Sequence, residues 1–457
     1  MTSLGFAGVA LFCLGQIELV HAVDRREPDA SEFEDDGDDL GSRDTDDPIE
    51  AQGPPALLRP PGFPEPRPEA PPAPPELKWH DNLTFGAFAD AYAGVNWGFP
   101  HPQTGTNVAR AFDESNGFAF AWAGLDASYD ADTVGGTMAL RFGPSAAVFS
   151  GEPVGSGLNL VKQGFVTWKP ARAQGKLSFD LGKFDTLYGA EVAESWLNMN
   201  YTRGVLNWLG QPFHHTGLRV GVAPRDTFGF NLLAVNGWNN SRDNNLGKTF
   251  GAQLALTPKD GVAVYVGYLT GPENDDLTTV FCGPGTAFDP DTGLCTPDPT
   301  NAVGQEVSVE TRDANRKFRH FVDVVAAIDP TDWLAIVFNA DVGIDPVITN
   351  PVTGDSDTMV WFGAMASARY AITARWAAAL RGEYYHDFDD YTTGVGTSEA
   401  VQLGTATATV EFAPVRSLII RLDNRLDVAT ERMFARGYAS AGKSQVTTTL
   451  GVVVTSF

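Results

Sequence analysis

From Trp79 onward the chain consists of segments in which apolar residues alternate with polar or small ones. A period of two is typical of β-strands with two unlike faces, and each segment runs for about 10–14 residues. In LIIRLDNRLDV (418–428), one face is aliphatic and the other is charged. The charged residues are Arg421, Asp423, Arg425 and Asp427. The pattern predicts an all-β fold from residue 79 to residue 457.

The junctions between these segments alternate between short and long. The short junctions are 130–134, 170–175, 223–226, 257–261, 329–332, 371–373 and 413–417. The long polar stretches are 98–116, 150–158, 183–212, 239–247, 272–316, 345–356, 388–398 and 430–444. Seven short turns and eight long loops predict sixteen strands, with both chain ends on the short-turn side.

Alternating short and long junctions are typical of outer-membrane β-barrels, which have short periplasmic turns and long outer loops. A soluble antiparallel sheet also alternates, but its apolar face would need a second sheet that the sequence does not supply. A closed barrel pairs every backbone N–H and C=O in lipid, where water is absent. We therefore predict a transmembrane antiparallel β-barrel of about 16 strands over residues 79–457.

The last segment, GVVVTSF (451–457), stays apolar to its end. Soluble domains usually end in polar, frayed chain, whereas the final strand of a barrel must pair with the first. The terminal Phe457 also resembles the signal by which bacterial outer-membrane barrels are recognised for insertion. We therefore expect the barrel-assembly machinery to bind the C-terminal strand and Phe457.

The N-terminal residues differ from the rest of the chain. Residues 1–22 contain an apolar stretch followed by Val20-His21-Ala22, a cleavage pattern typical of a signal peptide. Residues 23–78 are acidic and then rich in proline, so they cannot bury enough apolar surface to fold. We expect residues 23–78 to form a disordered periplasmic linker ahead of the barrel in a Gram-negative outer membrane.

Charge and hydropathy exclude two other classes of protein. The chain has 57 Asp and Glu against 32 Lys and Arg, a formal net charge of −25. Nucleic-acid binding requires clustered Lys and Arg, so no nucleic-acid partner is expected. No apolar run reaches the length of roughly 18 residues that a transmembrane helix requires.

Two of the three cysteines, Cys282 and Cys295, lie in one predicted outer loop, and Cys13 belongs to the signal peptide. An even pair of cysteines in a short loop of an exported chain predicts a disulfide, with two free thiols as the alternative.

Four stretches of sequence carry a family resemblance. They are FADAYAGVNW (88–97), GKFDTLYGAEVAESWLNMNYTRG (182–204), QPFHHTGLRVGVAPRDTFGFNLLAVNGWNNSRDNNLGKTFGAQLALTP (211–258) and GYLTGPE (267–273). Here the chain resembles the OmpL-like outer-membrane β-barrel porin family. The resemblance implies a passive pore for small solutes, without a cofactor, surrounded by outer-membrane lipid and lipopolysaccharide. Such a barrel could also assemble as a homo-oligomer.

The long stretch 183–212 is rich in Ala, Glu, Leu and Trp, which is unusual for an exposed loop. Val192, Trp196 and Met199 recur at helical spacing, which predicts a short helix folded into the lumen. The carboxylates of this stretch would then narrow the pore. They are Asp185, Glu191 and Glu194.

Arginines in the alternating strands are expected to face these carboxylates across the lumen. By strand phase the candidates are Arg141, Arg219, Arg319, Arg369, Arg375, Arg381, Arg421 and Arg425. Opposed rings of charge set ion selectivity in channels. The alternative for each arginine is an ion pair within the wall that only satisfies charge. The wall carboxylates concerned are Asp323, Glu383, Asp423 and Asp427.

An alternative function is a barrel enzyme of the lipase or protease type. Ser195 and the pair His214–His215 supply two of the required residue types, but no orienting acid is fixed by spacing. The stretches 236–245 and 289–293 are rich in calcium-type ligands, yet they lack the spacing of an EF-hand. Neither pattern outweighs the pore, so we predict no catalytic and no metal residues.

Overall fold

The computed structural model describes residues 79–101, 107–111, 113, 116–151, 155–397 and 399–456. Among the described residues, those from Asn82 onward form one compact unit, and residues 79–81 belong to a second unit. The expected signal peptide (1–22), the expected linker (23–78) and Phe457 therefore lie outside the described residues.

Sixteen strands of the described chain form one closed barrel. The first eight barrel strands are β1 Leu83–Asn96, β2 Asn116–Asp130, β3 Val134–Phe142, β4 Val161–Trp168, β5 Leu177–Asp185, β6 His214–Arg225, β7 Phe228–Val235 and β8 Thr249–Lys259. The other eight are β9 Val262–Pro272, β14 Phe318–Thr331, β15 Leu334–Ile348, β16 Ser356–Ala371, β17 Trp376–Asp387, β18 Val401–Val415, β19 Leu418–Ala429 and β22 Ser444–Thr455. All neighbours pair antiparallel, so the predicted sixteen-stranded antiparallel barrel is confirmed.

The remaining elements are short and lie in loops. Three two-stranded sheets pair β10 Leu277–Cys282 with β13 Gln305–Glu310, β11 Thr286–Phe288 with β12 Cys295–Pro297, and β20 Phe434–Arg436 with β21 Ser440–Gly442. The α-helices are α1 Pro144–Ser150 and α2 Val205–Gly210. The 3₁₀ helices are Trp79–Asn82, Leu158–Leu160, Ala171–Ala173, Ser195–Leu197 and Ala314–Arg316. None of the helices in the described chain is long and apolar enough to span a membrane.

The barrel closes because β22 pairs on both sides. Its register with β1 runs from Phe88 opposite Thr455 to Asn96 opposite Thr447, and its other edge pairs with β19. The apolar C-terminal segment is thus strand as far as Thr455 and is paired on both edges as far as Val454, as its sequence predicts.

Alternation along the strands separates an outer face from an inner face. On β15, Phe338 is 47% exposed on the outside, whereas Asp341 is 1% exposed on the inside. On β19, Leu426 is 43% exposed and Arg425 is 1% exposed. Charge is therefore directed inward and aliphatic surface outward, as the period of two predicts.

One loop begins earlier than expected. The long junction predicted at 150–158 placed the end of the third strand at about residue 149. Instead β3 ends at Phe142, and Gly143 adopts φ +125°, a conformation that favours glycine. A Cβ at Gly143 would lie 2.8 Å from the Cα of Trp122. Helix α1 follows, with proline in its first turn.

The loop between β9 and β14 carries β10–β13 and the two cysteines. Cys282 and Cys295 are joined by a disulfide, with their Cα atoms 5.5 Å apart. The sequence also predicted this pairing.

We predict that Cys282 and Cys295 resist alkylation in the folded, unreduced protein and react after reduction. In the chain-entropy model the bridge stabilises this loop by about 3 kcal/mol. Mass spectrometry of the peptides that contain each cysteine measures this directly, and the reduced, denatured chain is the positive control. Labelling of both thiols without reductant would contradict the prediction.

Candidate functional site

Residues 186–213, between β5 and β6, fold into the barrel, and we call them the inner loop. At its base the amide of Thr186 donates to the carbonyl of Phe213 at 3.0 Å. The inward fold was predicted, but the helix expected around Val192, Trp196 and Met199 is absent, and the short α-helix of the inner loop, α2, lies at Val205–Gly210. Around Val192 and Met199 the chain is irregular, apart from the 3₁₀ turn Ser195–Leu197. Asn198 replaces helical hydrogen bonds here, since its side chain bonds both the amide and the carbonyl of Val192.

Asp423 on β19 is one anchor for the inner loop. Its carboxylate accepts hydrogen bonds from the amides of Tyr201 (3.3 Å) and Thr202 (2.8 Å) and from the Thr202 hydroxyl (2.9 Å). Thr409 on β18 also donates to it, at 2.6 Å. Bonds from a buried carboxylate to backbone N–H groups are charge-assisted and strong. They fix the far side of the loop against the wall opposite its attachment.

Two arginines of β19 hold carbonyl groups of the inner loop. Arg421 donates to Ser195 O at 2.5 Å and pairs with Glu411. Arg425 donates to Arg203 O at 2.6 Å. The loop therefore crosses from β5 and β6 to β19, and its irregular backbone obtains its partners from charged groups of the wall.

Ser195 is engaged in this anchoring. Its hydroxyl donates to Asp90 of β1 at 2.7 Å, and the Tyr201 hydroxyl donates to the other oxygen of the same carboxylate. The ring nitrogens of His215 contact Thr186 and the carbonyl of Gly237. Ser195 is thus bonded to a carboxylate rather than to an imidazole, which is not the arrangement of a Ser–His nucleophile.

Glu191 contacts the wall at β17. Its carboxylate forms an ion pair with Arg381 and accepts the amide of Gly204 at 2.6 Å. Arg381 also pairs with Glu383 beside it, at 3.2 Å. Glu191 therefore connects its own segment of the inner loop and the segment at Gly204 to Arg381 on the wall.

Glu194 belongs to a second cluster, on β2–β5. It lies 2.8 Å from Arg141 and 3.0 Å from Lys162, while Asp126 and Asp185 complete the group by pairing with these two cations. Burial raises the pKa of Glu194, but Lys162 and Arg141 outweigh it and lower the pKa to about 2. The cluster thus contains three carboxylates and two cations.

Seven of the eight candidate arginines face the lumen and are paired. The pairs are Arg141 with Asp126 and Glu194, Arg219 with Asp180, Arg319 with Asp345, Arg369 with Glu411, Arg381 with Glu191 and Glu383, Arg421 with Glu411, and Arg425 with Asp427. Arg375 differs from the prediction. It is exposed in the turn 372–375 between β16 and β17, because β17 begins only at Trp376 and its alternation does not extend back to residue 375.

Trp238, in the loop after β7, also lies inside the barrel. It packs edge-on against Phe321 (5.1 Å between ring centroids) and Trp361 (6.1 Å). The guanidinium of Arg319 lies 5.0 Å from the Trp238 ring and pairs with Asp345. A cation over an aromatic face is favourable, which explains the inward position of Trp238.

Several lumen residues were missed by the sequence reasoning. Lys162 follows the inward phase of β4, and a search of the strands for lysine as well as arginine would have found it. Arg110 was not detectable, because it lies in a polar loop. It reaches across to Asp427 (2.7 Å) and Thr447 (2.6 Å). The loop between β1 and β2 thus also contributes a side chain to the lumen.

No group of three or more His, Cys, Asp or Glu side chains in the described chain is arranged to hold a metal ion. The buried charges of the lumen are instead organised as ion pairs and hydrogen bonds.

Comparisons with known proteins place this geometry in a family. The family model described as "Putative beta-barrel porin-2, OmpL-like" matches residues 82–455. No curated protein matches the chain in sequence.

Solved structures with a similar fold include OmpT of Vibrio cholerae, at 13% identity over 82% of this chain and 97% of that one, with a TM-score of 0.50. The outer-membrane channel DcaP of Acinetobacter baumannii is 10% identical over 82% and 96% of the two chains (TM-score 0.50). The anion-selective porin from Comamonas acidovorans is 10% identical over 82% and 99% (TM-score 0.50). At these identities the likeness is one of fold. Because the family match extends over nearly the whole barrel, the chain belongs to the OmpL-like β-barrel porin family of the outer membrane.

Proposed function

We propose that the protein is a passive pore for small hydrophilic solutes or ions and that the inner loop forms its constriction. The observation that carries this proposal is the path of the loop, which leaves the wall at β5 and is bonded to β19 through Asp423. A chain segment across a barrel narrows the water-filled section, and its charges lie where permeating ions must pass. The protein needs no cofactor for this function and is not an enzyme.

Differences in burial suggest where solutes pass. The side chains of Arg425 and Asp427 on β19 are fully buried, whereas those of Asp126 and Asp185 are each 22% exposed. This contrast favours a path along the β2–β5 side, past the Glu194 cluster. Three carboxylates against two cations would favour cations there.

The remaining partners follow from the outer-membrane barrel. We propose that the outward aliphatic face contacts lipid and lipopolysaccharide and that the assembly machinery recognises β22. Residues 23–78 would lie in the periplasm, and the barrel could form a homo-oligomer.

Removal of part of 189–200 should raise single-channel conductance in a planar bilayer, because the narrowest section limits the current. The full chain is the reference, and heat-dependent migration in gels verifies that both barrels are folded. An unchanged conductance would mean that the constriction lies elsewhere. A full chain without any conductance would contradict the pore itself and favour the enzyme alternative.

Replacement of Glu191 and Glu194 with glutamine should shift the reversal potential toward anions. The substitutions leave Arg381, Arg141 and Lys162 with fewer counter-charges. The shift should shrink at high salt, since the screening length falls to about 3 Å at 1 M. The matched control is Glu306→Gln with Glu310→Gln, two exposed carboxylates on β13. Equal shifts of the reversal potential in the two variants would show that Glu191 and Glu194 affect ion selectivity no more than exposed carboxylates do.

Asp423→Ala should loosen the inner loop and destabilise the folded protein by at least about 3 kcal/mol, because each hydrogen bond to a charged group is worth roughly 1.5–3 kcal/mol. The midpoint of the heat-dependent gel shift and the rate of proteolysis within 186–213 measure this. Asn424→Ala, next to it on the outer face, is the control and should cost far less. Equal effects of the two substitutions would refute the anchoring role.

A further inference from the structure

Two carboxyl groups of the lumen face each other directly. Asp323 on β14 and Asp341 on β15 are register partners in the antiparallel ladder, and their side chains point inward. Residues at such positions have Cβ atoms about 4.5–5.5 Å apart. The side-chain amide of Asn339 donates to one oxygen of each carboxyl group, and Asp323 and Asp341 are 0% and 1% exposed. Two neighbouring buried carboxyl groups that share one donor cannot both be ionised without a large cost in free energy.

The donors to this pair are neutral. The amide of Asn339 donates to Asp323 at 2.8 Å and to Asp341 at 3.0 Å. The amide of Gln211 donates to Asp341 at 2.6 Å, and the backbone N–H of Gly189 donates to Asp323. Oδ2 of Asp323 is buried and receives no donor among the described residues. A hydroxyl proton on one of the two carboxyl groups would satisfy it.

No cation faces the pair from the neighbouring elements. The residues opposite it are Gly267 on β9 and Gly363 on β16. The titratable side chains that face it are Tyr188 of the inner loop and Tyr385 of β17. Within the described chain, neither carboxyl group has an arginine, lysine or histidine within ion-pair distance.

The nearest charges along the same two strands do not change this. Arg319 and Asp345, each four residues from the pair, form an ion pair with each other. Asp180 on β5, a carboxylate of comparable burial, has Arg219 at 2.8 Å. The pair Asp323–Asp341 must therefore be neutralised in another way.

We propose that Asp323 and Asp341 bind one proton between them and that this protonated pair fastens the inner loop to the wall. The hydroxyl of one carboxyl group donates to the other, so the site carries one negative charge. That charge is stabilised by the amides of Asn339, Gln211 and Gly189. The inference rests on the proposed pore function only where conductance is the readout.

The same atoms hold the loop. Oδ1 of Asn339 accepts the amide of Ala190 (3.0 Å) and the side chain of Gln211 (2.8 Å). Gly189 adopts φ +89°, and a Cβ there would lie 2.1 Å from Gln211, so the loop is closely fitted at this point. Both ends of the loop segment, at 189–190 and at 211, thus depend on the geometry of the pair.

Loss of the proton would place a second negative charge in the pair. The carboxylates would repel each other, and one would turn away and release its bonds to the loop. The loop is therefore fastened while the pair holds its proton, and the fastening is lost when that proton dissociates. A bound metal cation is the competing explanation, and it would leave both carboxyl groups ionised.

Infrared spectroscopy of the folded full chain tests the proton directly. The difference spectrum between the protein and the double variant Asp323→Asn/Asp341→Asn should contain one carboxylic-acid band and the bands of one carboxylate at neutral pH. The acid band should disappear as pH rises. Asp180→Asn is the matched control and should remove carboxylate bands alone. Two carboxylates, or two acids, in the first difference spectrum would overturn the proposal.

Should the double variant fail to fold, titration of the unmodified protein decides the question. The spectrum must then contain a carboxylic-acid band that shifts in deuterated water and vanishes at alkaline pH. If no such band is present, the proposal is overturned. If the carboxyl bands changed with added sodium or calcium instead of with pH, a bound cation would explain them, and the proposal would be overturned.

Conductance tests the consequence for the loop. The unmodified protein should show a higher or more variable single-channel conductance at alkaline than at neutral pH, and the double variant should lose this difference. If the unmodified protein conducts without any change with pH, the fastening role is wrong and the pore stands. If it does not conduct at all, the pore proposal fails, and the infrared result still decides whether the pair holds a proton.

Discussion

A lipid bilayer offers no water to backbone amides, so every N–H and C=O group of a spanning strand must find a partner within the protein. In this chain β22 meets that requirement, because it pairs with β19 on one edge and with β1 on the other. Closure also determines where each side chain points. A lipid-facing Arg or Lys at the midplane costs about 2–4 kcal/mol, so the charged positions of the strands must face inward.

Inward charge creates a second constraint, since buried ions need compensation. Some are compensated within the wall, as Arg219 is by Asp180. Others are compensated by the inner loop, as Arg381 is by Glu191. The anchor at Asp423 follows the same rule, with backbone N–H groups of the loop as its partners. The inner loop therefore supplies counter-charges and backbone donors that stabilise the buried charges of the lumen.

The strands were predictable because their signal is local. A period of two depends on adjacent residues, and closure followed from counting turns. The contacts of the inner loop were not predictable, because Glu191 and its partner Arg381 are 190 residues apart. Helical spacing at Val192, Trp196 and Met199 was misleading, since the wall supplies hydrogen bonds that a helix would otherwise make. The inward position predicted for Arg375 was wrong because Arg375 precedes β17, and inner and outer faces alternate only within a strand.

The division of lumen charges into two kinds links pore width to selectivity. Pairs within the wall, such as Arg219 with Asp180, persist wherever the inner loop lies. Pairs with the loop do not, because any outward movement of Glu194 leaves Arg141 and Lys162 with fewer counter-charges. If the inner loop forms the constriction, as we propose, its outward movement widens the lumen and also leaves the wall more positive. Conductance and ion preference then both report the position of the inner loop. The strength of the loop's anchors sets how far the loop lies from the wall.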